Sequence, residues 1–330
     1  MNKVIVIIVI IVGLAGGLFL AGHTSYERGY LSFLSLSQDM QGEVTLVFGG
    51  DVMLSREIGN IMRRNNDYTY FWKDIKSLFA DSDIAFVNFE NPVSDRGQNV
   101  GSIYSFRAEP KSLEGLTYAG IDVASFANNH VWDWGREAFL QSFDLLTQNG
   151  IEYVGAGKNF TESHTAKIIE RNGVKVAYLG YTNLLPYSLR QVDSVPSVAG
   201  IDVGQIEKDI QKARDEGAHI VVTSFHFGEE YETKHNQYQE QIAHAAIDAG
   251  ADLVIGHHPH VVQEVEKYNN GIIAYSLGNL IFDQNFSVDT SFGQVLRVIA
   301  DKEGLKKAET IQVDFSSTYV PKVGTIESIL

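Results

Sequence analysis

Five apolar runs in this chain each end in side chains that can bind metals or move protons. Asp51 follows the run 44–48 and a Gly49-Gly50 pair, and Asn88 and Glu90 close the run beginning at Ile84. Asn128-Asn129-His130 come just after 122–125, His226 after 219–225, and His257-His258-Pro259-His260 after 252–255. Carboxylate, amide and imidazole donors without any thiolate suit hard or borderline divalent cations such as Mn, Fe or Zn. A carboxylate can bridge two such ions about 3.5–4 Å apart, clamping the attacking and leaving oxygens of a displacement. His258 and His260 are two apart, so in an extended chain both rings project to one side and His257 to the other. Each piece alone also has an ordinary structural explanation, a turn for Asp51 or a core histidine for His226. All five together at strand ends point to a metal-centred hydrolase.

Weaker signals surround this set. Glu230, in Gly228-Glu229-Glu230-Tyr231, reads as an acid/base group near the metals or as a solvated turn. Arg107 reads as an anion clamp, and Trp132 and Trp134 as substrate-stacking or core residues. Gly155-Ala-Gly157 lacks the further glycine spacing of a phosphate loop and reads as a turn. Arg107, His257 and Glu230 are the substrate-facing candidates.

The elements that must position these groups are legible as patterns. Near-continuous apolar runs are expected of strands buried on both faces. Between them, Phe139, Phe143 and Leu146 share a helical face, as do Ile206, Ile210 and Ala213, and Tyr238, Ile242, Ala245 and Ala249, with Gly150, Gly217 and Gly250 closing the three helices. Residues 165–181 read as a β-hairpin, as do 261–276 around Asn269-Asn270-Gly271; 293–300 and 310–315 read as further strands. Alternation of buried strands and helices gives an α/β layered domain. In such sheets ligands bind outside the carboxyl ends of the strands, where the candidate residues fall.

Composition bounds the function. The 330 residues hold 26 Lys+Arg and 41 Asp+Glu, a net charge of −15, which argues against a general nucleic-acid binder. The absence of cysteine excludes disulfides, thiolate sites and cysteine nucleophiles. Residues 4–21 carry no charge and follow Lys3; at about 1.5 Å per residue they span roughly 27 Å, near the thickness of a bilayer core. The expectation is a single-pass anchor in the cell membrane with the body outside the cytoplasm, or a signal cleaved near Leu20-Ala21-Gly22. The organisation is then 1–22 anchor or signal, 23–43 tether, 44–315 domain and 316–330 tail.

Gly50-Asp51-Val52-Met53, Asn88-Phe89-Glu90-Asn91-Pro92, Ser105 to Pro110, Ala127-Asn128-Asn129-His130, Gly155-Ala156-Gly157, His226 to Tyr231, Gly256 to His260 and Tyr275 to Asn279 run in one order. Together they resemble the CapA/PgsA family of poly-γ-glutamate capsule biosynthesis, itself similar to the calcineurin-like metallophosphoesterases. The resemblance implies a four-layer α/β/β/α sandwich around a two-metal centre, with an N-terminal transmembrane helix. Carried over position by position, it implies Asp51 and His260 at the first metal, Glu90 as the bridge, Asn129 as the amide ligand, His226 and His258 at the second metal, and His130 as the catalytic histidine. Where the wider superfamily has Asp-x-His, this chain has Asp51-Val52-Met53, and Glu90 replaces an aspartate; with the first site under-ligated, two ions or only one are expected.

The function implied is synthesis, export or anchoring of poly-γ-glutamate or a related anionic polymer, through metal-assisted hydrolysis or transfer. The rivals are an extracytoplasmic phosphomonoesterase or phosphodiesterase and a non-catalytic accessory subunit of a membrane polymer synthase. The expected partners are an anionic polymer or phosphorylated substrate, membrane synthase subunits and the membrane itself. An acidic body repels a polyanion at long range, so the metals, Arg107 and Lys111 would have to reverse that field locally.

Overall fold

A strand with apolar side chains on both faces must be covered twice, and the chain does this by stacking two sheets and covering each outer face with helices. The structure is a computed structural model that describes residues 42–185, 189, 195–315 and 317–330. The chain divides into Met1–Glu43 and Val44–Leu330, and every described element lies in the second unit. The segment expected to enter the membrane, 4–21, lies outside the described residues, among which no helix is long and apolar enough to cross a membrane.

In chain order the strands are β1 (Val44–Val52), β2 (Ile84–Phe89), β3 (Val123–Ser125), β4 (Glu152–Val154), β5 (Ala156–Gly157), β6 (Lys167–Arg171), β7 (Val174–Thr182), β8 (Ser197–Val198), β9 (Ile220–His226), β10 (Leu253–His257), β11 (Val265–Tyr268), β12 (Gly271–Ala274), β13 (Asn279–Ile281), β14 (Phe292–Asp301), β15 (Gly304–Phe315) and β16 (Pro321–Ser328). One sheet has the order β16-β15-β14-β1-β2-β3-β4, with β13 also beside β1; the other has the order β11-β12-β10-β9-β7-β6. The centre of each is parallel: β1-β2-β3-β4 in the first, β12-β10-β9-β7 in the second. The β6–β7 and β11–β12 hairpins form where the turn signals place them.

Alternation of side chains along each strand sets the layers. Leu46, Phe48, Ile84 and Phe86 of the first sheet meet Val176, Tyr178, Val222 and Leu253 of the second in a core between the sheets. Val47, Ala85, Val87 and Ala124 face the opposite way, packing with Ile58, Met62, Phe79, Leu116, Phe139 and Phe143 from helices Arg56–Asn65, Lys76–Ala80, Leu113–Ala119 and Gly135–Gln148. On the far side Ala177, Leu179, Val221 and Val254 pack with Ile206, Ile210, Ala243 and Ala246 of helices Val203–Asp215 and Gln237–Asp248. The order is helix, sheet, sheet, helix. Phe86 stacks on Tyr178 across the middle at 5.8 Å. Burying a ring of this size contributes about 1.5–3 kcal/mol.

Three local expectations need correction. Helix Gln237–Asp248 buries Gln239, Ile242, Ala243, Ala246 and Ile247, while Tyr238 is 39% exposed. Gln239 takes a core position because its amide is satisfied, accepting from the Asn236 N–H at 3.0 Å and donating to Gln263 at 2.9 Å. The expected tail contains β16, which pairs antiparallel with β15; its mostly exposed residues give it no apolar alternation. And β1 does not stop at Gly49 but runs through Asp51, after a register shift against β2 between Phe48 and Asp51. Gly50 permits this: a Cβ there would lie 2.0 Å from the Gly278 carbonyl oxygen, which instead accepts from the Asp51 N–H at 2.9 Å.

Candidate metal centre

Strand register brings the candidate residues into two facing rows. In the first sheet Asp51 lies opposite Asn88, and Asn88 opposite Ser125. In the second Thr182 lies opposite His226, and His226 opposite His257. All are at or near carboxyl ends of parallel strands, where an open α/β sheet binds its ligand. The rows touch. Asn88 Nδ2 donates to Asp51 Oδ1 at 2.8 Å and lies 3.3 Å from His226 Nδ1. His257 Nδ1 is 3.4 Å from Asp51 Oδ1, and His260 Nδ1 is 3.2 Å from Asp51 Oδ2. His226 Nε2 lies 2.8 Å from Asn129 Oδ1.

Glu90 is at the centre. Its carboxylate is fully buried, and its Oε1 has no hydrogen-bond partner. Around that oxygen stand three imidazole nitrogens: His260 Nε2 at 3.7 Å, His130 Nε2 at 3.9 Å and His226 Nε2 at 3.9 Å. A buried carboxylate oxygen left unpaired costs several kcal/mol unless something positive satisfies it. Burial, then the charges of Asp51, Glu230 and Asp133, push the Glu90 carboxyl well above its ordinary range. Asp51 goes the other way: burial acts to raise it, but the adjacent His257 and His260 imidazoles outweigh burial and hold it well below the carboxylate range.

Two of the histidines, His226 and His258, present themselves as neutral groups. Burial, then the nearby His258, holds His226 well below its ordinary value; burial, then His260, lowers His258 to about 3. His226 Nε2 faces Asn129 Oδ1 at 2.8 Å and Nδ1 faces Asn88 Nδ2 at 3.3 Å; a ligand role for Nε2 requires the tautomer with its proton on Nδ1. The chain around His258 and His260 is not extended, as the two-residue spacing suggested: their φ values are +100° and +59°. A left-handed backbone at a non-glycine residue costs on the order of 1–3 kcal/mol, and such strain concentrates at functional sites. Their rings still come together, with centroids 6.0 Å apart.

His130 is half-buried at the mouth of the cluster. Its Nδ1 is 2.8 Å from Asp133 Oδ2, and that buried carboxylate also accepts from the Phe106 N–H at 2.8 Å and the Ser102 hydroxyl at 2.9 Å. Asp133 therefore fixes the ring and its tautomer, leaving Nε2 directed toward Glu90. A cleft of about 140 Å³ opens over His130 and His260 and is lined also by Arg56, Glu230 and Asp283.

The substrate-facing candidates separate. Exposed Glu230 lines the cleft and forms a potential ligand group with His258 and His260. His257 is fully buried behind Asp51 and cannot meet a substrate directly. Arg107 is outside the cleft lining, its guanidinium 3.4 Å above the Trp134 ring, and Lys111 lies over Tyr68; local aromatic packing has claimed both cations. Trp132 packs on Phe139 rather than lining the cleft. Sequence reasoning did not single out Asp133, Asn279 or Arg56. Asn279 faces Asp51 on β13, with Oδ1 3.0 Å from His260 Nδ1; its signal was the Tyr275–Asn279 block.

The donors present fit divalent metal. Asp51, Glu90 and His260 offer ligand atoms within 4.8 Å of one another, as do Glu230, His258 and His260. Besides Glu90 Oε1, His258 Nδ1 is buried with no partner. Met53, which stands where the wider superfamily carries an imidazole ligand, is a buried core residue whose sulfur accepts from the Ser55 hydroxyl at 2.9 Å. It adds no nitrogen or oxygen donor.

Comparison with known proteins places these residues in a family context. The profile of the bacterial capsule synthesis protein family PGA_cap matches residues 45–284, which include every candidate ligand. The chain is 34% identical over 253 residues to the capsule biosynthesis protein CapA of Bacillus anthracis, covering 74% of this chain and 61% of that protein. It is 30% identical over 270 residues to the PGA biosynthesis protein CapA of Bacillus subtilis, covering 81% and 70%. The match thus spans less than two thirds of the B. anthracis protein. Among solved structures it is similar to the NAD nucleotidase of Haemophilus influenzae (TM-score 0.49, 11% identity, 86% of this chain and 54% of that one). It is also similar to the calcineurin-like phosphoesterase YfkN of Bacillus subtilis (TM-score 0.44, 13% identity, 88% and 90%).

Proposed function

We propose, given that the chain belongs to the bacterial capsule synthesis protein family PGA_cap, that it acts in the synthesis, export or anchoring of poly-γ-glutamate or a related anionic capsule polymer. In this reading the strand-end cluster is a metal-centred, hydrolase- or transferase-like site, and residues 4–21 hold the domain at the outer face of the membrane. The observation that carries the chemistry is Glu90 Oε1, buried without a partner among three imidazole nitrogens.

Asp51, Glu90 and His260 would hold one divalent ion, and Asn129, His226 and His258 a second that shares Glu90. Such an ion supplies Lewis-acid polarisation of a phosphoryl or carbonyl oxygen and activation of water. The protein supplies the rest. Asp133 holds the proton of His130 on Nδ1, so Nε2 is the nitrogen free to exchange a proton with a leaving or attacking group. Asn88 ties Asp51 to the His226 side of the site, so the ligands of both sheets are oriented before any substrate arrives.

Met53 favours a second reading, in which one ion alone is bound and the protein is a non-catalytic accessory subunit of a membrane synthase. Metal content of the purified full-length chain tests both, wild type beside His258→Ala/His260→Ala. About two ions per chain, lost in the double variant, support the dinuclear site; about one supports the mononuclear reading. No metal in a folded wild-type protein sinks the metal-centred site.

A further inference from the structure

The cleft over the cluster contains one permanent positive charge that the chemistry above does not use. Of its lining residues, Arg56 alone carries a guanidinium or ammonium group. The surrounding groups are acidic: Glu90, Asp133 and Glu230 all lie close by. An anionic substrate entering such a site needs a local cation to offset them.

Three features hold the guanidinium in place. Arg56 opens helix Arg56–Asn65 at φ +50°, a left-handed conformation that long side chains rarely adopt. Its Nε forms an ion pair at 3.1 Å with Oδ2 of the half-buried Asp283, an oxygen that accepts from the Glu57 N–H at 3.2 Å. The guanidinium carbon sits 5.4 Å from the Phe106 ring centre, and that ring lies 4.0 Å from the His130 imidazole. Asp283 thus engages the Nε side, whereas among the described residues Nη1 and Nη2 make no hydrogen bond. The side chain is 38% exposed, so these nitrogens remain within reach of a ligand.

The geometry points to Arg56 as the residue that receives the substrate's oxyanion. Nη1 and Nη2 form a forked pair with a carboxylate or phosphate group while Asp283 fixes Nε. Phe106 spaces that oxyanion from His130, so Arg56 sets which bond of an anionic chain lies over the cluster. The assignment rests on the reading of the site as one that takes an anionic polymer. It also separates Arg56 from Arg107, which the sequence offered for the same role.

Titration calorimetry on the full-length, detergent-solubilised, metal-loaded protein tests this, with a short γ-linked glutamate oligomer as one probe and inorganic phosphate as the other. The proteins compared are wild type, Arg56→Gln, Arg56→Lys and, as a control, Arg107→Gln. Loss of the fork is expected to weaken binding at least ~10-fold in Arg56→Gln and by a smaller factor in Arg56→Lys, with Arg107→Gln within ~2-fold of wild type. Metal content and melting temperature establish that each variant is folded. If Arg56 is merely the counterion of Asp283, its variants melt earlier but bind as wild type does, and the assignment fails. Should Arg56→Gln not fold, Arg56→Lys with wild-type affinity overturns the forked contact. Oligomer binding that is equal in wild type and Arg56→Gln overturns the assignment and leaves the polymer reading standing. Phosphate binding that depends on Arg56, with no oligomer binding by any form, upholds the assignment and overturns the polymer reading. Binding of neither probe to wild type overturns the assignment.

Discussion

Replacing Glu90 by Gln should stabilise the metal-stripped protein and remove most of the stabilisation that metal brings. The argument starts from burial: the carboxylate is 0% exposed, Oε1 is unpaired, and burial together with Asp51, Glu230 and Asp133 pushes the group well above its ordinary value of 4.5. Without a metal the folded state avoids the buried charge by taking up a proton. At pH 7 that costs at most 1.36 kcal/mol for each of roughly 2.5 pH units, a ceiling of about 3.4 kcal/mol. Glutamine has nearly the same shape and no charge, so it recovers up to that amount. For a domain of this size that is a rise in Tm of up to about 10 °C.

The sign follows from linkage. A carboxyl raised in the folded state binds more protons folded than unfolded, so wild-type stability falls as pH climbs from about 4.5 toward the folded value. The advantage of Glu90→Gln is therefore larger at pH 7.5 than at pH 5. Adding Mn or Zn closes most of the gap: an ion at 100 times its Kd stabilises wild type by about 2.7 kcal/mol and the variant by far less. Thermal unfolding of EDTA-treated full-length protein at both pH values, with and without added metal, reads all of this. A variant with the same advantage at both pH values, or none, would refute the account of Glu90 as a buried charge awaiting a cation. Equal stabilisation by metal in both proteins would refute its role as a ligand.

Asp133→Asn should leave metal content intact but misorient His130, lowering any metal-dependent hydrolysis of an aryl phosphate by about 10²-fold or more, because the amide no longer fixes the Nδ1 proton. Hydrolysis unchanged in that variant would remove Asp133 from the mechanism. Gly50→Ala drives a methyl to 2.0 Å from the Gly278 oxygen, so chemical denaturation should show a loss of about 1–3 kcal/mol, together with weaker metal retention through displaced Asp51. Glu264 stands at about 2; burial acts to raise it, but Lys234 at 2.7 Å and His235 outweigh that. A depressed carboxyl contributes stability above about pH 4.5 that is lost as pH falls toward 2, so Glu264→Gln should cost under about 1 kcal/mol at pH 7, discounted for exposure, and nothing near pH 2. A cost that persists at low pH would show that the ion pair is not its source.

Much of the architecture was legible because buried parallel strands announce themselves as apolar runs and the helices between them keep a 3.6-residue period. The acids, amides and imidazoles were legible for the same reason, since polar residues directly after such runs have few other places to be. β16 was not, because an exposed edge strand carries no apolar alternation. The core position of Gln239 was not legible because a polar residue can occupy one once its amide finds partners, and nothing local shows that it will. Arg107 and Arg56 are equally cationic in the sequence; packing put one on Trp134 and the other beside the cleft.

The sequence alone therefore determined the donor types, their attachment to strand ends and the absence of any thiolate, since these follow from composition and periodicity. Only the tertiary structure decided which donors meet. Register shifts at Asp51 and left-handed backbone at His258 and His260 are set by contacts between segments some two hundred residues apart, such as Gly50 against Gly278 and Asp51 against His257. Whether His257 faces substrate or Asp51, and whether Glu90 Oε1 is left for a cation, depends on that long-range packing, which no local pattern encodes.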